Sequence, residues 1–159
     1  MVGDRIVTLA MSLSLAACGG PSPQDFLQPQ VNLRQIGLRS VGVAGGTLDV
    51  QLAIANPNRI QVKGTQVSAA LDVQGSHFGD IASTDPFTLT EQDTTLITLP
   101  LTFRWAGLTS AARSILDYGE VNYGLWGKLS VETPVGQPLE VPFNRTGAVP
   151  VVKTVTGAP

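Results

Sequence analysis

The stretch Leu48-Asp49-Val50-Gln51-Leu52-Ala53-Ile54-Ala55-Asn56-Pro57-Asn58 decides the fold class. Leu48, Val50, Leu52 and Ile54 alternate with Asp49, Gln51 and Ala53, and Thr47 extends the second set. A period of two places the apolar set on one face of a strand and the other set on the opposite face. At Asn56-Pro57-Asn58 the strand ends, because Asx side chains can bond the local backbone. Outward from this stretch the same rhythm recurs. Val67, Ala69, Leu71 and Val73 alternate with Ser68, Ala70, Asp72 and Gln74. Ile97, Leu99, Leu101, Phe103 and Trp105 form one face of a long strand. Tyr123, Leu125, Leu129 and Val131 make another, and Leu139, Val141 and Phe143 follow. Strands with one apolar face are half buried and belong to antiparallel sheets.

The first strand, about Val31 to Val43, changes phase between Leu33 and Ile36, and a bulge near Arg34-Gln35 reconciles its two halves. Pro100, Pro138 and Pro142 fall on the outward parity, which predicts edge positions or bulges. Ala44-Gly45-Gly46, Gly75-Ser76 and Thr133-Pro134-Val135-Gly136 read as turns. One segment breaks the strand rhythm. Leu108, Ala111, Ala112, Ile115 and Leu116 follow helical spacing, with Thr109 or Ser110 to cap the start and Gly119 to stop it. Strands at roughly ten-residue spacing point to an all-β sandwich.

The N-terminus carries a different signal. Arg5 begins a short positive region, and Ile6 to Ala17 is apolar and too short for a stable membrane span. It ends in Leu15-Ala16-Ala17-Cys18, which resembles the bacterial lipobox, where the Cys thiol accepts a diacylglyceryl group. Cys18 is the one cysteine in the chain. The following Gly19 to Pro29 is rich in Gly, Pro, Ser and Gln, the composition of a tether. Residues 1–17 are therefore expected to be a signal peptide, 18–29 a lipidated tether, 30–153 the folded domain and 154–159 a flexible tail. The expected location is the cell envelope. Gly19 after the Cys favours the periplasmic face of the outer membrane in a Gram-negative cell.

Composition narrows the function classes. The mature part, about 140 of 159 residues, is one domain's worth. A 43% apolar fraction is too high for disorder. The net charge of −2 and the scattered Lys and Arg disfavour nucleic acid, whose phosphates need clustered cations. His77, the single histidine, follows Ser76 and lies near Asp72 and Asp80. A Ser-His-Asp triad needs those groups in spatial register, and adjacent residues of a hairpin loop do not provide it. Asp80, Asp85, Glu91 and Asp93 share a loop-rich stretch, but their spacing matches no regular calcium loop. No metal and no cofactor is expected. Trp126 falls on the outward parity of its strand; it either marks a binding face or is covered by the helix at 108–116.

The alternating strand running into Asn56-Pro57-Asn58, continued by Ile60, Val62 and Val67, resembles the type 2 late embryogenesis abundant family, whose module is the WHy domain. The tail Gly147-Ala148-Val149-Pro150-Val151-Val152-Lys153 is similar to the family's last strand. The resemblance covers about Gln30 to Lys153. It implies a fibronectin-like sandwich of about seven strands with one short helix between the fifth and sixth. It also implies a role in tolerance of drying or osmotic stress, without enzymatic activity. The positive mean hydropathy of +0.18 suits this folded group better than the disordered members of the wider class. The expected partners are the membrane, through the lipid, and protein or lipid clients; the expected state is a monomer. An envelope module binding a peptide, lipid or protein is the competing expectation.

Overall fold

The computed structural model describes residues 26–154, so the expected signal peptide, Cys18 and most of the expected tether and tail lie outside the described residues. Eight strands follow one another: β1 (Gln30–Val41), β2 (Gly45–Ala55), β3 (Val62–Val73), β4 (Ser76–Ser83), β5 (Phe87–Leu89), β6 (Thr94–Arg104), β7 (Glu120–Glu132) and β8 (Pro138–Lys153). One 3-10 turn, Ala112–Asp117, separates β6 from β7. The strands form a single path, β4-β3-β7-β8-β1-β2-β6, with β5 paired to β3 beside β4. Antiparallel pairing holds throughout except where β1 meets β8. The terminal strands β4 and β6 approach each other, so the sheet rolls nearly into a barrel.

The fold is all-β, as the alternation requires. Eight strands are found among the described residues where about seven were expected, and β8 links the two halves of the roll. It is 16 residues long and pairs with β7 from Pro138 to Pro150 without a register break. Its last residues, Val151 to Lys153, turn their other edge to Ile36–Leu38 of β1 and join the two halves. Gly147 to Lys153 is therefore the end of β8 and not a separate strand. The Val151 N–H donates toward β7, to the Gly119 carbonyl. By alternation along an unbroken antiparallel ladder, residues 138, 142 and 150 point their amide positions the other way. All three are proline, so the side of β8 facing away from β7 lacks donors where an unpaired edge would recruit another chain.

The core follows the decisive stretch. Leu48, Val50, Leu52 and Ile54 are fully buried, and they meet Leu38, Ile36, Leu33 and Val31 across the β1–β2 register. That register slips between Leu33 and Gln35, the bulge the phase change predicts. Val67, Leu71, Leu125, Leu129, Leu99 and Leu101 close the interior from β3, β7 and β6. Gly127 of β7 sits where a Cβ would strike the Ser68 carbonyl oxygen and lie 2.6 Å from the Ala69 Cα. The close approach of β7 to β3 requires glycine there.

The helical segment also differs. A 3-10 turn stacks residues three apart, and the two inward side chains, Ala112 and Ile115, have that spacing. Leu116, four residues from Ala112, is turned out and partly exposed. Thr109 accepts the Ala112 N–H at 3.2 Å, and Tyr118, not Gly119, takes the left-handed conformation (φ 50°) that stops the turn. The turn lies between the sixth and seventh strands because the short β5 adds a strand before it.

Candidate functional site

Strand directions gather the start of β1, the ends of β2, β4, β5 and β7 and the starts of β3, β6 and β8 at one end of the roll. Asn56, Pro57 and Asn58 lie at this end, immediately after β2. Asn56 is 1% exposed. Its Nδ2 donates to three carbonyls, Ile60 at 2.8 Å, Thr90 at 3.1 Å and Leu89 at 3.2 Å. Its Oδ1 accepts from the Asn58 backbone N–H at 3.0 Å and from Asn58 Nδ2 at 2.9 Å. One amide thus ties the β2–β3 loop to the β5–β6 loop. The backbone doubles the tie: Asn56 N–H donates to the Asp93 carbonyl, and Gln92 N–H donates to the Asn58 carbonyl, both at 2.9 Å.

Asn58 extends the clamp to the N-terminal segment. Its Oδ1 accepts the Leu27 N–H at 2.8 Å, and its Nδ2 donates to the Leu27 carbonyl at 2.7 Å. A side-chain amide here pairs with a backbone as a neighbouring strand would. Phe26 packs against the core and Pro29 is buried, so packing begins before Gln30. The composition of the tether hides this, because its apolar residues sit among Gly, Pro and Gln. Beside the clamp, Gln30, Ala55, Pro57, Gln92, Asp93 and Thr94 line a shallow open hollow of about 360 Å³.

Ser76 and His77 are the first two residues of β4, not a loop. Neighbouring strand positions face opposite ways, and these do. The buried Ser76 hydroxyl lies 3.0 Å from Thr109 Oγ1 and accepts the Thr109 N–H at 3.2 Å, pinning the chain that leads into the 3-10 turn. His77 is exposed, with Nδ1 3.1 Å from Asp72 Oδ1 and Nε2 3.6 Å from Asp80 Oδ1. Serine and histidine therefore cannot act on one substrate atom. Asp85, Glu91 and Asp93 do not join Asp80 in a cluster able to hold a metal ion among the described residues. No described helix is long and apolar enough to cross a membrane.

Trp126 stands on the outer face of β7, 42% exposed. The 3-10 turn does not cover it, since Ala112 and Ile115 are turned into the core. Strand parity places Asp49 on a solvent face, yet it is only 6% exposed. Arg39, displaced by the second slip in the β1–β2 register, folds over it; Arg39 Nε donates to Asp49 Oδ2 at 3.0 Å, and a second guanidinium nitrogen pairs with Oδ1. The outer face at this point is thereby closed by an ion pair.

These features define a class: a small rolled β domain, closed at one end by an Asn-Pro-Asn clamp. The family model of the type 2 late embryogenesis abundant proteins matches residues 51–147, and the chain belongs to that family. The solution structure of AT1g01470 from Arabidopsis thaliana is similar at a TM-score of 0.59 with 18% identity, covering 86% of this chain and 95% of that one. The solution structure of a late embryogenesis abundant protein, At2g46140.1, is similar at a TM-score of 0.50 with 18% identity, covering 79% and 72%. At these identities the likeness concerns the fold. No curated protein is matched by the chain in sequence.

Proposed function

We propose that the chain is a non-catalytic envelope lipoprotein that supports tolerance of water stress. The observation that carries this reading is its place among the late embryogenesis abundant proteins, through residues 51–147. The WHy module at 30–153, the lipid on Cys18 and the periplasmic face of the outer membrane belong to the same reading and rest on the lipobox and on family resemblance. The disposition of polar groups supports it. The buried amides of Asn56 and Asn58 and the hydroxyl of Ser76 are spent on the fold's own hydrogen bonds. The groups turned to solvent are hydroxyls and amides on separate strands, such as Thr98, Thr102, Asn122, Asn144 and Thr146. Such a surface offers neighbouring proteins and lipid headgroups the hydrogen bonds that water otherwise supplies. Neither a cofactor nor nucleic acid has a part in it, and a monomer suffices.

A second reading, an interaction module, draws on the exposed Trp126. Drying separates the two. A desiccation-sensitive enzyme dried with the purified chain should keep its activity in proportion to the mass excess of the chain. His77→Ala should change nothing, because no proton transfer is involved. Protection abolished by Trp126→Ala at an unchanged melting temperature would place the activity at one face and replace the first reading with the second.

A further inference from the structure

Where β1 meets β8 the roll is only partly zipped. Their parallel pairing joins Ile36–Leu38 to Val151–Lys153 and stops there. Pro150, next along β8, has no N–H to carry the ladder on, and β1 bulges at Arg34. From there toward the Asn56–Asn58 end, β1 pairs with β2 and β8 with β7, but not with each other. A split separates the two strands. Donors line its β8 side. The alternation that turns the amide positions of Pro138, Pro142 and Pro150 away from β7 turns the N–H groups of Asn144, Thr146 and Ala148 the same way. These residues can donate, and no strand pairs with them on that side.

Arg145 stands among them. It is opposite the fully buried Leu125, and paired residues share a face, so its stem starts on the inner side of the roll. Its head leaves through the split. Nε donates to Asn32 Oδ1 on β1 at 3.2 Å, and Nη1 donates to the Asn144 carbonyl at 3.0 Å. A guanidinium has five N–H groups, and those two bonds leave three without a protein partner among the described residues. Arg34, at the bulge two residues from Asn32, is exposed.

Charge decides what fits. Neither Arg145 nor Arg34 has a carboxylate partner among the described residues, whereas Arg39, further along β1, has Asp49. β1 contains no acid, and the one acid of β8, Glu140, is held by Lys128 at 3.0 Å. The fold thus leaves two positive charges and a row of amide donors along one split, with no acid of its own beside them. A tetrahedral phosphate presents oxygens in several directions and carries up to two charges. It matches donors on both strands better than a planar, singly charged carboxylate does.

We propose that the split between β1 and β8 binds a phosphate group, held by Arg145 and the Thr146 and Ala148 amides, with Arg34 adding charge at the rim. A lipid headgroup and a small soluble phosphate share this chemistry.

The test uses the full-length chain in a neutral detergent at constant ionic strength. It is titrated with inorganic phosphate and, separately, with dihexanoyl phosphatidylglycerol; acetate is the comparison anion. Nuclear magnetic resonance of the backbone amides and arginine Nε groups reports binding. Saturable shifts centred on Thr146, Ala148 and Arg145 are expected with at least one phosphate probe, and a weaker response to acetate. Saturation at lower concentration by the phospholipid assigns the site to a headgroup, and by inorganic phosphate to a soluble ligand; either result supports the site. Arg34→Gln, which breaks no bond of the fold, should weaken binding about threefold at an unchanged melting temperature. Arg145→Gln should weaken it roughly tenfold or more, and Arg145→Lys, which keeps the charge and loses the fork, should recover only part of that. Absence of saturable shifts with both phosphate probes overturns the proposal. So does an equal response to acetate, or binding by Arg34→Gln and Arg145→Gln equal to that of the natural chain.

Discussion

Asn56→Ala should lower the unfolding free energy by about 3–5 kcal/mol and the melting temperature by about 10–15 °C, read by denaturant and thermal unfolding of the full-length chain. A surface turn asparagine would cost far less, roughly 1 kcal/mol. The difference lies in what the substitution leaves behind. Three carbonyls, of Ile60, Leu89 and Thr90, lose their shared donor, and the Asn58 backbone N–H and side chain lose their acceptor. Each buried polar group left without a partner costs about 1–3 kcal/mol, and a small cavity adds to that. Asn56→Asp sharpens the test because it keeps the shape. An anionic oxygen would then face three carbonyl oxygens in a buried site, so the loss should be at least as large. Asn58→Ala should cost less, about 1–2 kcal/mol, and act chiefly by freeing Phe26–Pro29 from the domain. A change below 1 kcal/mol for Asn56→Ala would mean that water replaces the amide and that the clamp is not what closes this end.

Cys18→Ala should move the protein from the membrane to the soluble fraction, and the shift should be close to complete. The reasoning starts from the chemistry of the proposed anchor. Each acyl CH₂ buried in the bilayer contributes about 0.8 kcal/mol, and two or more chains hold stably where one exchanges. No described helix is long and apolar enough to cross a membrane. The clamp adds a geometric consequence. The eight residues from Cys18 to Phe26 reach at most about 28 Å, and Leu27 is fixed to Asn58. The proposed anchor is therefore joined to the domain at its Asn56–Asn58 end. Protein that still sediments with membranes after a carbonate wash would remove the lipid from the account.

The legible parts of the fold were those with uninterrupted alternation. β2, β6 and the apolar faces of β3 and β7 could be read directly, and so could the β1 bulge, since a phase change has one economical explanation. β4 was not legible for a related reason. Phe78 and Ile81 both point inward, but they differ in parity, because the ladder slips where Gly79 faces Leu71 and His77 faces Asp72. A bulge without a long alternating run on either side leaves no period to detect. β5 has three residues, too few for a pattern. The 3-10 turn shared its apolar residues with an α-helical stripe, and only tertiary packing of Ala112 and Ile115 chose between them.

At the clamp, Asn56-Pro57-Asn58 was visible as a motif with bonds to its local backbone, but its distant partners were not. Leu89 and Thr90 lie more than thirty residues away, and Leu27 about as far in the other direction. A hydrogen bond closing such a loop has no local signature. Parity also misled at Asp49, where burial came from Arg39 folding over the outer face and not from the strand's own periodicity.

The central claim is that this domain, held at the envelope through Cys18, protects cells from loss of water. Survival through drying and rehydration tests it directly, in a strain lacking the gene and complemented with the natural chain or with Cys18→Ala at equal expression. The account predicts that the deletion lowers survival, that the natural chain restores it, and that Cys18→Ala restores it poorly because the domain leaves the membrane. Survival of the deletion strain equal to that of its parent, through both drying and high osmolarity, would contradict it.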